Sequence, residues 1–330
     1  MNRGTIRFMS MCAFAIVMVL SLPVAAQRPA DSYPSRPVTI IVPFSAGAVT
    51  DIETRLYAQK LTELTGRNFI VDYKAGAGSM IGSAHVAKSP ADGYTLLVAT
   101  QALSIAPLIY KNLNFDPIKD FTFVSMISKR APMLLATPSL PVKNVSEYIA
   151  YARANPGKLN IGTSGPSGGA HLSMVWLHHI TNTKATFIHY KGGALSFTAL
   201  MGGEVHVAIG SVIAMMPNVK AGKARILAMT SAERAKILPD IPTVAEQGVP
   251  GFEYAPWLGF AVPRGTPAAT VAQLNALLVS VAKTPDLAAR LADDATLMIG
   301  STPDQFAQVI AAEYSRWRKL IDETGMKLEH

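Results

Sequence analysis

Three glycine-rich turns hold the side chains and amides best placed to do chemistry. One is Gly162-Thr-Ser164-Gly-Pro-Ser167-Gly168-Gly169-Ala170-His171. It contains Gly165-x-Ser167-x-Gly169, the spacing of a nucleophile elbow, and it falls between a predicted strand and a predicted helix. A serine hydrolase built on Ser167 needs an acid and then a histidine further along. Asp240 and His206 occur in the reverse order, and after Asp240 only His330 remains. The same glycines and hydroxyls serve equally as a cradle of backbone N–H groups for an anion, which needs no further part. The second turn, Pro43 to Asp51, joins a strand to a helix. There, unpaired amides and the positive end of the helix dipole favour a carboxylate. Thr50 or Asp51 can also cap that helix, and capping is compatible with binding. The third turn, Lys74-Ala-Gly76-Ala-Gly78-Ser-Met-Ile-Gly82, has GxGxxxG spacing rather than the dinucleotide GxGxxG. The strand after it, Leu96 to Thr100, offers no acidic ribose partner. Its preferred reading is a tight turn into a closely packed helix.

Other chemistries lack their residues. His178 and His179 are adjacent on a predicted helix and point about 100° apart. His171 and His178 are seven apart, and no HExxH spacing occurs, so no metal site and no cofactor is predicted. The formal charge is +8, or +6 without Arg3 and Arg7. A modest positive excess suits anionic ligands or an anionic surface. The basic residues are dispersed, which argues against nucleic acid as a partner.

These turns need elements to position them. Strands are predicted at Val38–Val42, Asn68–Tyr73 and Thr95–Ala99. They alternate with helices at Thr50–Thr65 and Ser79–Ala87; on the first helix Ile52, Leu56, Leu61 and Leu64 are the expected core. After a bridging stretch the pattern restarts with strands at Met133–Thr137, Leu159–Gly162, Thr186–His189, His206–Gly210 and Arg225–Thr230. Helices intervene at Val145–Asn155, Gly168–Ile180 and Ala194–Met201. Such alternation predicts an α/β protein with two parallel sheets covered by helices. The last third reads as one strand, Trp257–Val262, and three helices that begin near Pro267, Pro285 and Pro303, where proline costs least. Those helices need a sheet to cover. The chain is therefore expected to return to its first lobe, with crossings near 131 and 256: lobe 1 is 27–131 plus 257–330, and lobe 2, inserted, is 132–256. Two crossings and a cleft suit closure around a ligand.

The N-terminus reads as an export signal over 1–26. Arg3 and Arg7 precede an apolar run from Phe8 to Leu22, and Val24-Ala25-Ala26 supplies small residues for cleavage before Gln27. The run is short for a membrane span. Cys12, the only cysteine, lies inside it, so the remaining chain of about 304 residues has no disulfide.

The order of motifs resembles that of the tripartite tricarboxylate transporter receptors, also called the Bug family. The matching pieces begin with Tyr33-Pro-x-Arg36-Pro-Val-Thr-Ile-Ile-Val-Pro-Phe44, Gly47 to Asp51, Gly76-Ala-Gly78-x-x-Ile-Gly82 and Ala91-Asp-Gly-Tyr-Thr-Leu-Leu97. They continue with Ile161-Gly-Thr-Ser-Gly165, Gly169-x-His171-Leu, His189-Tyr-Lys-Gly192, Leu200-Met-Gly-Gly-Glu-Val205, Leu238 to Glu246, Gly259-Phe-x-x-Pro263 and Gly265-Thr-Pro267. The resemblance implies a monomeric periplasmic receptor of Venus-flytrap fold. Such a receptor binds a small carboxylate without transforming it, then delivers it to a two-component membrane permease or informs a sensor. It implies a first wall of Phe44, Ser45, Ala46, Gly47, Ala48, Thr50 and Asp51 with Thr100, Gln101 and Ala102. The second wall is Ser164, Ser167, Gly168, Ala170 and His171 with Tyr190, Lys191 and Ser211. Ala48 and Val49 replace the usual second glycine and proline, so a methyl narrows the first turn. His206 stands where the family commonly has an aspartate. An Asp would repel a second carboxylate and His would not, which suggests a dicarboxylate or an aromatic carboxylate. On this reading Gly47→Val, measured by calorimetry with a bound carboxylate, causes a far larger loss of affinity than removal of one neutral hydrogen bond. Wild-type affinity in that variant would show the first wall to be misplaced.

Overall fold

The computed structural model describes residues 33–44, 46, 49–110, 112–165, 168–190 and 192–326. The expected signal segment and its cleavage site lie outside them. Residues 33–35, with a cis Tyr33–Pro34 bond, belong to a separate N-terminal unit, and Arg36 onward forms one compact unit. No described helix is long and apolar enough to cross a membrane.

The chain lays down β1 (Val38–Val42), α1 (Val49–Thr65), β2 (Phe69–Tyr73), a single 3₁₀ turn (Ala77–Ser79), α2 (Met80–Ala87), β3 (Thr95–Thr100), α3 (Ala102–Ile109) and β4 (Phe121–Arg130). It then crosses to β5 (Met133–Ala136), α4 (Val145–Ala154), β6 (Asn160–Thr163), α5 (Gly169–Ile180), β7 (Thr186–His189), α6 (Gly193–Gly202), β8 (Val207–Gly210), α7 (Val212–Lys220) and β9 (Arg225–Met229). It returns through β10 (Trp257–Pro263), α8 (Ala268–Ala282), α9 (Pro285–Ala292), β11 (Thr296–Met298) and α10 (Pro303–Thr324). One sheet has the order β11-β4-β10-β3-β1-β2 and the other β7-β6-β8-β5-β9.

Both sheets are mixed, whereas the alternation of elements had suggested parallel ones. The pairs β2-β1-β3 and β7-β6-β8 are parallel as expected. β10 runs against β3 and β4, β11 against β4, and β5 against β8 and β9. The reversals of β5 and β10 arise where the chain crosses between sheets, because a strand entering from the other half starts at the end where its neighbours finish. The crossings are tied together: Arg130 N donates to Pro256 O at 2.8 Å and Thr230 N to Pro132 O at 2.9 Å.

Alternation along β5 shows how the inserted sheet is buried on both faces. Leu134 and Ala136 join a core with Tyr148, Ile161, Leu177 and Phe252, while Met133 and Leu135 face Leu200, Val205 and Met215. Each such aliphatic side chain contributes about 1.5–3 kcal/mol on burial. In the six-stranded half, Leu97, Phe123, Trp257 and Phe306 form one such layer. On α1 the buried stripe is Thr54, Tyr57, Ala58 and Leu61, at helical spacing. Ile52 and Leu64, expected in the core, lie off this stripe and are 53% and 52% exposed. Leu61 is buried and Leu56 half-buried.

The turn from Gly76 to Gly82 is a packing device. Gly76 and Gly78 have φ of 131° and 59°, in the region that favours glycine. A Cβ on Gly82 would lie 2.8 Å from Pro43 Cβ and 2.9 Å from the Lys74 carbonyl oxygen, so only glycine lets α2 approach the end of β1. Gly82→Ala should therefore destabilise the fold by about 1–3 kcal/mol in urea unfolding, despite alanine's better helix propensity. Unchanged stability would show that the backbone there can yield.

His178 is buried between Tyr148 Oη, 2.7 Å from its Nε2, and Thr183 Oγ1, 2.7 Å from its Nδ1. Burial pulls its pKa down from 6.5 to about 4. Below pH 6.5 the unfolded chain accepts a proton that the fold refuses. The stability is thus full above pH 6.5 and falls, by roughly 3 kcal/mol, as pH drops toward 4. NMR titration should find this imidazole neutral at pH 5.5; a midpoint above pH 6 would contradict the assignment.

Candidate functional site

Strand direction sorts the helix N-termini. α1, α2, α3, α5, α6 and α7 each follow a strand of a parallel set, so they begin at the carboxyl ends of those strands. Where the N-cap is described, none of these helices has a side-chain cap. This holds for Ser79 before α2, Gln101 before α3, Gly168 before α5, Gly192 before α6 and Ser211 before α7. Among the helices that start elsewhere, α8 and α9 also lack a side-chain cap, at Pro267 and Thr284, but α4 and α10 have one. Asn144 caps α4 by accepting from Glu147 N at 2.8 Å, Thr302 and Gln305 form a capping box on α10, and Pro267 precedes α8. An uncapped first turn leaves backbone donors for an anion.

Two of these uncapped ends meet. A Cβ on Gly169, the first residue of α5, would lie 2.8 Å from Gln101 Oε1 and 3.0 Å from the Tyr254 ring. Gln101 comes from the six-stranded half and Gly169 from the inserted half. Beside this contact, Leu172 on α5 packs with Ile105 and Ile109 on α3 and with Trp317 and Leu320 on α10. Trp176 stacks on Phe252 at 5.0 Å and carries the Arg316 guanidinium 4.9 Å from its ring centroid. His179 Nε2 lies 3.0 Å from Glu323 Oε2.

The residues of the expected first wall are placed as follows. Phe44 is half-buried after β1, and Ala46 is exposed. Thr50 is in the first turn of α1, its carbonyl accepting from Thr54 Oγ1 at 2.6 Å. Asp51 is nearly buried; it accepts from Arg55 Nε at 2.8 Å and from Tyr73 Oη, tying α1 to the end of β2. Thr100 ends β3 and Ala102 begins α3. In the second wall Ser164 is exposed after β6, and Gly168 and Ala170 are in the first turn of α5. His171 is buried, edge-on to Phe187 at 4.8 Å and to His189 at 4.9 Å. Tyr190 N donates to Thr163 O at 2.9 Å, and Ser211 is the N-cap residue of α7. Ser45, Gly47, Ala48, Ser167 and Lys191 lie outside the described residues. None of the described wall residues is a lysine or arginine.

His206 is not in this region. It precedes β8, where its Nδ1 accepts from Asn160 N at 2.9 Å and its backbone bridges Asn160 and Thr137. Since β6 and β8 are parallel, that is the end opposite the uncapped helices. The inference drawn from His206 about a second carboxylate therefore loses its basis.

Two buried carboxylates, Glu53 and Asp294, and the half-buried Glu313 escaped the sequence reading, because their partners are far away in the chain. Glu53 pairs with Arg130 at 3.1 Å beside the crossing; burial pushes its carboxyl pKa up more than Arg130 lowers it. Asp294 Oδ1 accepts from Ile213 N at 3.1 Å, so an internal carboxylate already occupies the first turn of α7. Glu313 accepts from Gln101 Nε2 at 2.8 Å, and burial pushes its pKa up too.

Residues 54–326 match the tripartite tricarboxylate transporter family receptor profile. Protein BugT of Bordetella pertussis is 31% identical over 95% of this chain and 97% of its own. Rpa4515 of R. palustris, solved with adipate, is 36% identical with a TM-score of 0.77, over 89% of this chain and 99% of its own. MatC of Rhodopseudomonas palustris, solved with bound malate, is 30% identical with a TM-score of 0.72, over 88% of this chain and all of its own. With this breadth of match and a fold of two α/β halves, the chain belongs to the tripartite tricarboxylate transporter family of solute-binding receptors.

Proposed function

We infer that this protein is a periplasmic receptor that captures a small carboxylate between two lobes, 27–131 plus 257–330 and 132–256, and releases it unchanged to a membrane permease of the tripartite type or to a sensor. The observation that carries the reading is the meeting of the bare first turn of α5 with the start of α3 across the two halves. The carboxylate is held by backbone amides and hydroxyls of the residues 44–51, 100–102, 164–171, 190–191 and 211. Lobe closure excludes water and strengthens those contacts. Ile52, Ile81, Leu195 and Ile213, four large apolar side chains that remain exposed, lie in the first turns of α1, α2, α6 and α7. They favour a ligand with an apolar body, such as a dicarboxylate chain or an aromatic acid. The adipate of one related structure, with four methylenes between its carboxylates, fits that class, and the malate of another is likewise a dicarboxylate.

Hydrolysis at Ser167 is the competing reading. The position of His206, at the far end of β8 and engaged by Asn160, disfavours it. A panel of mono-, di- and aromatic carboxylates in a thermal-shift assay, followed by calorimetry, tests the receptor. A binder at 100 times its Kd should stabilise the protein by about 2.7 kcal/mol and be recovered intact. Ser164→Ala should weaken it by about 0.5–1.5 kcal/mol, and Ser167→Ala should leave no lost turnover. The reading fails if no carboxylate shifts the melt, or if ester turnover is present and vanishes in Ser167→Ala.

A further inference from the structure

We propose that Glu313 is a positioning residue for capture: it fixes the Gln101 side chain so that the amide oxygen seats against the first turn of α5, where side-chain-free Gly169 admits it. The proposal deepens the receptor reading and rests on it for its function.

The hydrogen bonds form a connected set. Gln101 Nε2 donates to Glu313 Oε1 at 2.8 Å, which turns Oε1 of the same amide toward Gly169. Ser104 Oγ lies 3.0 Å from Glu313 Oε2 and 2.9 Å from the Gln101 backbone oxygen. The Gln101 carbonyl is already satisfied by Ser104 N at 3.1 Å and Ile105 N at 3.2 Å, which leaves the Ser104 hydroxyl proton for Glu313 Oε2. Both carboxyl oxygens of Glu313 are thus engaged, one by Ser104 and one by Gln101. Gln101 is itself only 8% exposed, and its amide is held at one end with little freedom to swing aside.

On the opposite side, Gly169 has ordinary helical geometry and is outside the set of positive-φ residues, so its lack of a side chain answers a need for space. Tyr254, buried in the core of the inserted half, backs the same point. An added methyl would press on a pinned amide and a buried ring together. The contact therefore links the Glu313 carboxyl in α10 to the population of the conformation in which the two walls meet. Apparent affinity scales with that population.

The experiment is a distance measurement on the full chain in a Cys12→Ser background. Nitroxides are placed at Lys88→Cys and Lys184→Cys, exposed positions in the two halves. Double electron–electron resonance is recorded without additive and with adipate, and adipate affinity is measured by calorimetry. Gly169→Ala, whose methyl also presses on the Tyr254 ring of its own half, should fold with a lowered Tm and lose the short-distance population and adipate affinity by about fivefold or more. Glu313→Leu should do the same. Glu313→Gln, which can donate to Ser104 and accept from Gln101, should behave as wild type. Gln101→Ala should restore part of the closed population to Gly169→Ala by removing the obstruction. The proposal is overturned if Gly169→Ala keeps the wild-type distances, or if Glu313→Gln fails as badly as Glu313→Leu. Gly169→Ala keeps the test decisive should Glu313→Leu not fold. If adipate binds no variant, the choice of ligand class fails, while the distances without additive still decide the positioning role.

Discussion

Backbone N–H groups at a helix start must find acceptors, and at the carboxyl ends of its parallel strands this protein leaves several helix starts without a side-chain cap. Five helices beginning at the carboxyl ends of parallel strands have no side-chain cap from their N-cap residue, as α8 and α9 also have none, while α4 and α10 are capped; of the five, α7 is filled instead by Asp294. Unfilled donors are costly if buried dry. Two of these starts, those of α3 and α5, meet where the halves approach. Because donors of this kind are neutral and fixed, they require no compensating charge in the walls, and the described wall residues supply no cation.

The charged groups near the crossing have other work. Glu53 with Arg130 ties α1 to the end of β4, and Asp294 fills the start of α7 from the opposite half. Breaking a buried pair by removing one partner is strongly destabilising, so these groups hold the two crossings in register rather than attract a ligand. The halves are also joined by the Leu172, Trp317 and Leu320 cluster beside Gln101 and Gly169. Polar contacts at the mouth and apolar contacts beside it thus act on the same relative position of the two halves.

The alternation of strands and helices was legible because each element is short and its apolar period is clear. The return to the first sheet was legible because α8 to α10 had no other surface to cover. Four elements were not, the short edge strand β11 among them. α3 and α7 carry Pro107 and Pro217 inside them, which masks helical character in the sequence. β4 reads as a bridging stretch because Ser125, Ser128 and Lys129 interrupt its apolar run, although both serines are buried. Strand direction cannot be read from composition at all, which is why the reversals of β5 and β10 were missed. At the site, the glycine turns announced themselves locally. Gln101 and Glu313 are separated by 212 positions, and no spacing rule connects them. Asp51 was visible, but its engagement by Arg55 and Tyr73 depends on β2 lying beside β1.

A crystal structure of the protein with a dicarboxylate bound addresses the central claim most directly. The account predicts carboxylate oxygens about 2.7–3.2 Å from backbone N–H groups of the first turn of α5 and from the turn preceding α1 or α3, with no lysine, arginine or metal as the principal contact. A carboxylate held mainly by a cationic side chain, or lodged away from both helix starts, would contradict it.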